Sequence, residues 1–210
     1  MDERSETRQA HWDNAYATKG ETGVSWFEDT PTLSLELIRR ARANAKSDII
    51  DIGGGASRLV DALLQEGAGR VTVLDLSPAA LDAAKARLGT AADDVEWIVA
   101  DVTDWKPEHR YDIWHDRAAF HFLTETDARA AYVESLHAAL RPGGHAIIGT
   151  FAPDGPERCS GLPVLRYDAA ELAGVLGPSF QLVDQRRHVH TTPWGSTQAF
   201  QFSLLKRVKR

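Results

Sequence analysis

The stretch Ile49-Ile50-Asp51-Ile52-Gly53-Gly54-Gly55 decides the fold. A short, β-branched apolar run reads as a buried strand, and the glycines that end it give a tight turn with no Cβ in the way of an approaching ligand. Beyond the turn, Leu59, Val60, Leu63 and Leu64 recur at helical spacing from Ser57 to Glu66. Gly67 and Gly69 stop that helix before a second strand, Val71-Thr72-Val73-Leu74. The unit is strand, helix, strand, and it repeats. Pro78 opens a helix over Ala79–Leu88, Val95–Val99 is a third strand and Tyr111–Trp114 a fourth. Alternation of this kind predicts a parallel sheet with helices on both faces.

On the amino side, Leu33, Leu37, Ile38 and Ala41 predict a helix within Pro31–Arg42. On the carboxyl side, Tyr132, Val133, Leu136 and Leu140 form one stripe of a helix over Glu125–Leu140, which Arg141-Pro142-Gly143-Gly144 ends sharply. A fifth strand follows at His145–Phe151. The segment from Ala152 to Tyr167 has no period and carries Pro and Gly, so it is expected to be a functional loop or lid. A short helix, Asp168–Leu176, then precedes two strands, Phe180–His190 and Thr197–Leu205, which can pair as a hairpin around Pro193-Trp194-Gly195.

With 210 residues, 43% apolar and 26% charged, the chain fits one globular domain over 1–210. A formal net charge of −6 argues against a nucleic-acid coat, which needs a surplus of cations on one face. The basic end Lys206, Arg207, Lys209, Arg210 reads as a solvated tail. The single cysteine, Cys159, cannot form an internal disulfide, and neither a secretion signal nor an apolar run of membrane length is visible. A cytoplasmic chain with no membrane or nucleic-acid partner, monomeric or homodimeric, is expected.

The glycine turn is joined by Asp75 at the end of the second strand, where a carboxylate can accept the hydroxyls of a ribose. Asp75 could instead cap the next helix, although Ser77 can do that itself. A dinucleotide fingerprint asks for a further glycine where this chain has Arg58, and it needs a second mononucleotide half where this sheet ends in a hairpin. A smaller nucleoside ligand fits better.

The ordered set Asp51-Ile52-Gly53-Gly54-Gly55, Asp75-Leu76-Ser77, Ala100-Asp101-Val102, Asp116-Arg117 and Leu140-Arg141-Pro142-Gly143-Gly144 resembles the class I S-adenosylmethionine (SAM)-dependent methyltransferases of the Rossmann-like superfamily, from about Trp12 to Leu205. Ala56-Ser57 departs from the threonine and further glycine of many members. The resemblance implies a three-layer α/β fold with a seven-stranded, mostly parallel sheet and an antiparallel last strand. It implies a helical cap over residues 1–46, to which the 152–167 loop would add a lid. SAM would be the cofactor, S-adenosylhomocysteine the product, and an unidentified small molecule or protein side chain the acceptor. Gly53 and Gly55 would hold the methionine part, Asp75 the ribose, and Asp101 with Val102 the adenine, while Asp51, Gly54, Leu76, Asp116 and Trp26 complete the cofactor set. A SAM-binding module without transfer chemistry is the alternative.

The segment from His115 to Phe122 ends the fourth strand, where ligands bind in open α/β sheets. His121 there could serve as a general base or be a packed loop residue, and Arg117 could hold an acceptor carboxylate or pair with a nearby acid. Tyr16, Arg166, Tyr167 and Trp194 are the candidate acceptor contacts. His188 and His190 share a strand face and would suit a metal, but the sequence declares no third ligand, so no metal site is expected.

Overall fold

A computed structural model describes residues 3–208 of the chain. Helix α1 (Glu3–Lys19) leads through a loop into α2 (Thr32–Arg40) and β1 (Ile49–Ile52), followed by α3 (Leu59–Gln65), β2 (Val71–Asp75), α4 (Pro78–Leu88), β3 (Val95–Val99) and β4 (Tyr111–Arg117). Helix α5 (Thr126–Ala139) and β5 (Leu140–Phe151) follow, then the two-residue strands β6 (Arg158–Cys159) and β7 (Leu162–Pro163), α6 (Ala169–Leu176), β8 (Phe180–Thr191) and β9 (Thr197–Arg207). The main sheet has seven strands in the order β3-β2-β1-β4-β5-β9-β8. Strands β1 to β5 run parallel, β9 is antiparallel to β5, and β8 pairs antiparallel with β9. The expected class and the terminal hairpin are both present.

Each strand alternates its side chains between two layers. Ile49 and Val73 join α2 and α3 in one buried cluster, which also takes Phe151, Phe200 and Phe202. Ile50 and Ile52 join Tyr132 and Leu136 of α5 and Leu172 and Leu176 of α6 in the other. The caps follow the sequence. Ser77 accepts a hydrogen bond from the Ala80 amide with Pro78 at the first helical position, and Asp168 with Glu171 forms a capping box at α6.

The structure differs from the expected boundaries at several places. Strand β4 continues past Trp114 to Arg117, because the polar residues His115 and Asp116 are buried with partners of their own. Strand β5 starts at Leu140, paired with Tyr111, so the Pro-Gly-Gly run lies within an irregular strand and not in a turn before it. The 152–167 segment is packed, carrying the small β6–β7 hairpin, with the Leu165 amide bonded to the His121 carbonyl and the Tyr167 amide to that of Phe151. Lys206 and Arg207 belong to β9, and Arg207 donates to the His137 and Leu140 carbonyls at the end of α5. The other two basic residues, 209 and 210, lie outside the described residues. Among the described residues no helix is long and apolar enough to cross a membrane.

Candidate cofactor and acceptor site

A cavity opens at the carboxyl ends of β1 to β4, lined there by Ile52, Gly53, Leu74, Asp75, Leu76, Ala100, Asp101, Val102 and Arg117. Parallel strands make this edge the natural ligand face of an α/β sheet. Its other wall is brought by α1 and the loop behind it, through Arg8, Trp12, Tyr16 and Trp26, and by Phe122 and Cys159.

The glycine turn is shaped by close neighbours. Gly53 has φ +63° and a Cβ there would stand 2.7 Å from that of Ala119. Gly55 has φ +46° and a Cβ there would lie 2.7 Å from the Tyr16 hydroxyl and 3.1 Å from Asp75 Oδ2. The turn must be bare because α1 and the β2 acid both close on it.

Asp75 is buried, and burial raises its pKa to about 7, against amide hydrogen bonds from Ser77, Gly55 and Leu76 and with Asp51 adding to the rise. The Ser77 amide donates to Oδ1 at 2.8 Å. A buried carboxylate bordering a cavity with only backbone donors is a site made for added hydroxyl donors. The capping role falls to Ser77, as its hydroxyl serves α4 and is itself held at 2.5 Å by Asp13 of α1. Asp101 is held by Arg8 of α1 and accepts from the Thr103 amide and hydroxyl at 3.0 and 2.7 Å.

Other expected residues lie behind the cavity wall. Asp51 bonds His115 Nδ1 at 2.6 Å, and His115 Nε2 meets Ser34 Oγ at 2.9 Å, so Asp51 anchors α2 to the sheet. Asp116 accepts from the Tyr132 hydroxyl at 2.7 Å and from the Ala119 amide at 2.9 Å, and it organises the turn toward Phe122 without lining the cavity. His121 is fully buried against Phe151 and Phe122, and burial alone lowers its pKa to about 3. Its ring is not among the groups that line the cavity, a placement that fits the packed-residue alternative.

Arg166 binds the Gly155 carbonyl and Glu157, Tyr167 packs on Phe120, and Trp194 is 60% exposed at the β8–β9 turn. None of the three reaches the cavity, and the 152–167 segment contributes Cys159 in their place. Burial raises that thiol to about 11, so it is neutral.

Tyr16 and Trp26 do line the cavity. The Trp26 indole donates to the Tyr16 oxygen at 3.3 Å, and Trp12 packs edge-on against Trp26 and Phe122 with centroids at 5.7 and 4.9 Å. Arg117 donates to the Trp26 carbonyl at 2.6 Å, leaving its buried Nη1 without a hydrogen bond. Arg8 and Phe122 were not singled out by sequence reasoning. An Arg in a polar helix carries no local signal of the acid it will meet, whereas Phe122 stood in a segment already suspected.

A family profile described as a methyltransferase domain matches residues 49–144. Nodulation protein S of Rhizobium tropici is 28% identical over 118 residues, 56% of this chain and 47% of that protein. Trans-aconitate 2-methyltransferase of Enterobacter sp. (strain 638) is 31% identical over 102 residues, 48% of this chain and 39% of that protein. The chain therefore spans less than half the length of these two curated relatives. Among solved structures, the N-methyltransferase NodS from Bradyrhizobium japonicum WM9, in complex with S-adenosyl-L-homocysteine, superposes with a TM-score of 0.71 at 17% identity, covering 94% of this chain and 98% of that one. The glycine turn and the acids after β2 and β3 thus sit inside the stretch that matches a methyltransferase domain, and the seven-stranded sheet is the Rossmann-like fold of the methyltransferase structures that superpose on it.

Proposed function

We propose that the chain transfers a methyl group from SAM to an acceptor that is a small molecule or a slender side chain. The observation that carries this reading is the cavity itself, which gathers Gly53, Asp75, Leu76, Asp101 and Val102 at one strand edge under an aromatic cover. Asp75 would take the ribose hydroxyls and the turn at Gly53–Gly55 the methionine part. Asp101 and Val102 would border the adenine, which requires Arg8 to yield or share its carboxylate.

When bound, SAM supplies a methyl on a sulfonium already activated for in-line displacement, so positioning and exclusion of water account for most of what the protein must add. Trp12, Trp26, Tyr16 and Phe122 exclude water, and Arg117 orients the acceptor. Arg117 is the cation on the cavity wall beside the β4 end and favours an acceptor with an anionic group, which would share it with Glu28. With His121 buried, no imidazole among the described residues lines the cavity, and the acceptor must arrive as a nucleophile or lose its proton to solvent. Action as a monomer or a homodimer in the cytoplasm is part of the same proposal.

Incubating the protein with methyl-labelled SAM and, separately, metabolite and protein extracts tests the reading. Label is expected in an anionic metabolite or a protein. SAM binding without any labelled product would select the non-catalytic sensing module, and label in nucleic acid alone would overturn the acceptor class.

A further inference from the structure

Outside the residues that line the cavity, β8 places His188 and His190 on one face, as residues two apart in a strand must be. Glu28, from the loop between α1 and α2, stands across from them. One donor atom from each of the three lies within 4.8 Å of the others. Glu28 Oε1 is 3.6 Å from His188 Nε2 and 3.4 Å from His190 Nδ1. A tetrahedral ion with bonds of ~2.0–2.2 Å keeps its ligand atoms about 3.3–3.6 Å apart, so these two separations need no rearrangement to receive one.

The outer contacts point the same way. His190 Nε2 is 2.7 Å from the Ser25 carbonyl, which can only accept, so Nε2 carries a hydrogen and Nδ1 is the ring atom turned toward Glu28, where a lone pair would stand in the neutral tautomer. A lone pair facing a carboxylate oxygen repels it unless a proton or a metal ion stands between them. Bonds from the remote ring nitrogen to a backbone carbonyl are also what orients metal-binding imidazoles. His190 is buried and His188 half-buried, and beside them a cleft walled by Thr22, Phe27, Thr191 and Pro193 gives an entry path and space for a solvent ligand. Arg117 Nη1, 3.8 Å from Glu28 Oε1, is a competing cation that tempers affinity and connects this cluster to the cavity wall.

We propose that Glu28, His188 and His190 form a site for a divalent first-row transition ion, zinc being the probe, with solvent completing the coordination. Two imidazoles and a carboxylate suit such ions. The ion would pin the loop that carries Trp26 to the terminal hairpin.

Zinc titrated calorimetrically into the full-length, tag-free chain is expected to bind one ion per chain. His188→Ala and the bulkier His188→Gln each remove one ligand at a half-buried position, should fold normally by circular dichroism, and should weaken zinc at least roughly tenfold. Cobalt should give the intense visible bands of a tetrahedral complex in the parent and lose them in both variants. Zinc binding of equal strength in parent and variants would place the ion on other histidines and overturn the site. Absence of binding to the parent would leave a plain Glu28–His190 ion pair, and it too would overturn the proposal.

Discussion

The strands on either side of β1 each end near a buried aspartate, and the two carboxylates are treated very differently. Asp116, near the end of β4, is fully enclosed and receives the Tyr132 hydroxyl and the Ala119 and Phe120 amides. Burial still raises its pKa to about 6, with those donors pulling it down. Asp75, at the end of β2, has backbone amides on one side and the cavity on the other, and burial raises it to about 7. One acid is satisfied by the protein alone. The other is left with capacity to spare, and an unfilled acceptor beside a cavity marks a ligand where a filled one marks architecture.

The largest effect is expected from Asp116→Ala, which strands a buried hydroxyl and two amides at ~1–3 kcal/mol each and should lower unfolding free energy by about 3 kcal/mol or more. Chemical denaturation measures it. Normal stability with lost SAM affinity would exchange the roles of the two aspartates. Next comes Asp75→Ala, expected to weaken SAM by ~2–3 kcal/mol in calorimetry and to cost less stability than Asp116→Ala, because the amides it frees border the cavity and can turn to solvent. A large fall in melting temperature with unchanged SAM binding would make Asp75 structural as well.

The pH dependence sharpens the same contrast. A ligand donating hydroxyls to Asp75 needs the carboxylate, which the ligand-free chain gains only as pH rises through about 7. SAM affinity should therefore climb roughly tenfold from pH 6 to pH 8 and level off above, and Asp75→Asn should flatten the climb. The sign for stability is opposite. Because the folded pKa is raised above the ordinary carboxylate value, Asp75 favours the folded, ligand-free chain most at low pH, and its contribution falls as pH rises toward 7. A SAM affinity that falls over this range would remove Asp75 from the binding site. The smallest effect is expected from Arg166→Ala, whose exposed partners are Gly155 and Glu157, with turnover within about twofold of the parent once an acceptor is known. A much larger loss would restore Arg166 to the acceptor site.

Much of this contrast was unreadable in the chain itself. Strands β1, β2 and β3 are legible because apolar runs meet glycines or turn residues, and the turn and Asp75 follow from their positions relative to those strands. The resemblance alone put Asp51 and Asp116 in the cofactor set. Their partners, His115 and Tyr132, are assigned only when β1 pairs with β4 and α5 packs below. Helix α1 reaches its place through Arg8, Asp13 and an aromatic cluster, and it shows only a weak amphipathic pattern, so it offered no stripe to read. The His188–His190 pair was visible as a pair, but its carboxylate comes from a loop that only the folded hairpin brings near.

The order of the sheet also bears on how the protein is made. Strand β9 leaves the ribosome after β5 and β8, yet it lies between them and pairs with β5 from His145 to Phe151. Until residues 197–207 emerge, the β5 edge, a row of unpaired amides and carbonyls flanked by Ile147, Ile148 and Phe151, stays open to any other strand. A nascent chain stalled before Thr197 would carry a finished glycine turn beside an unprotected sheet, which makes such fragments natural clients of chaperones.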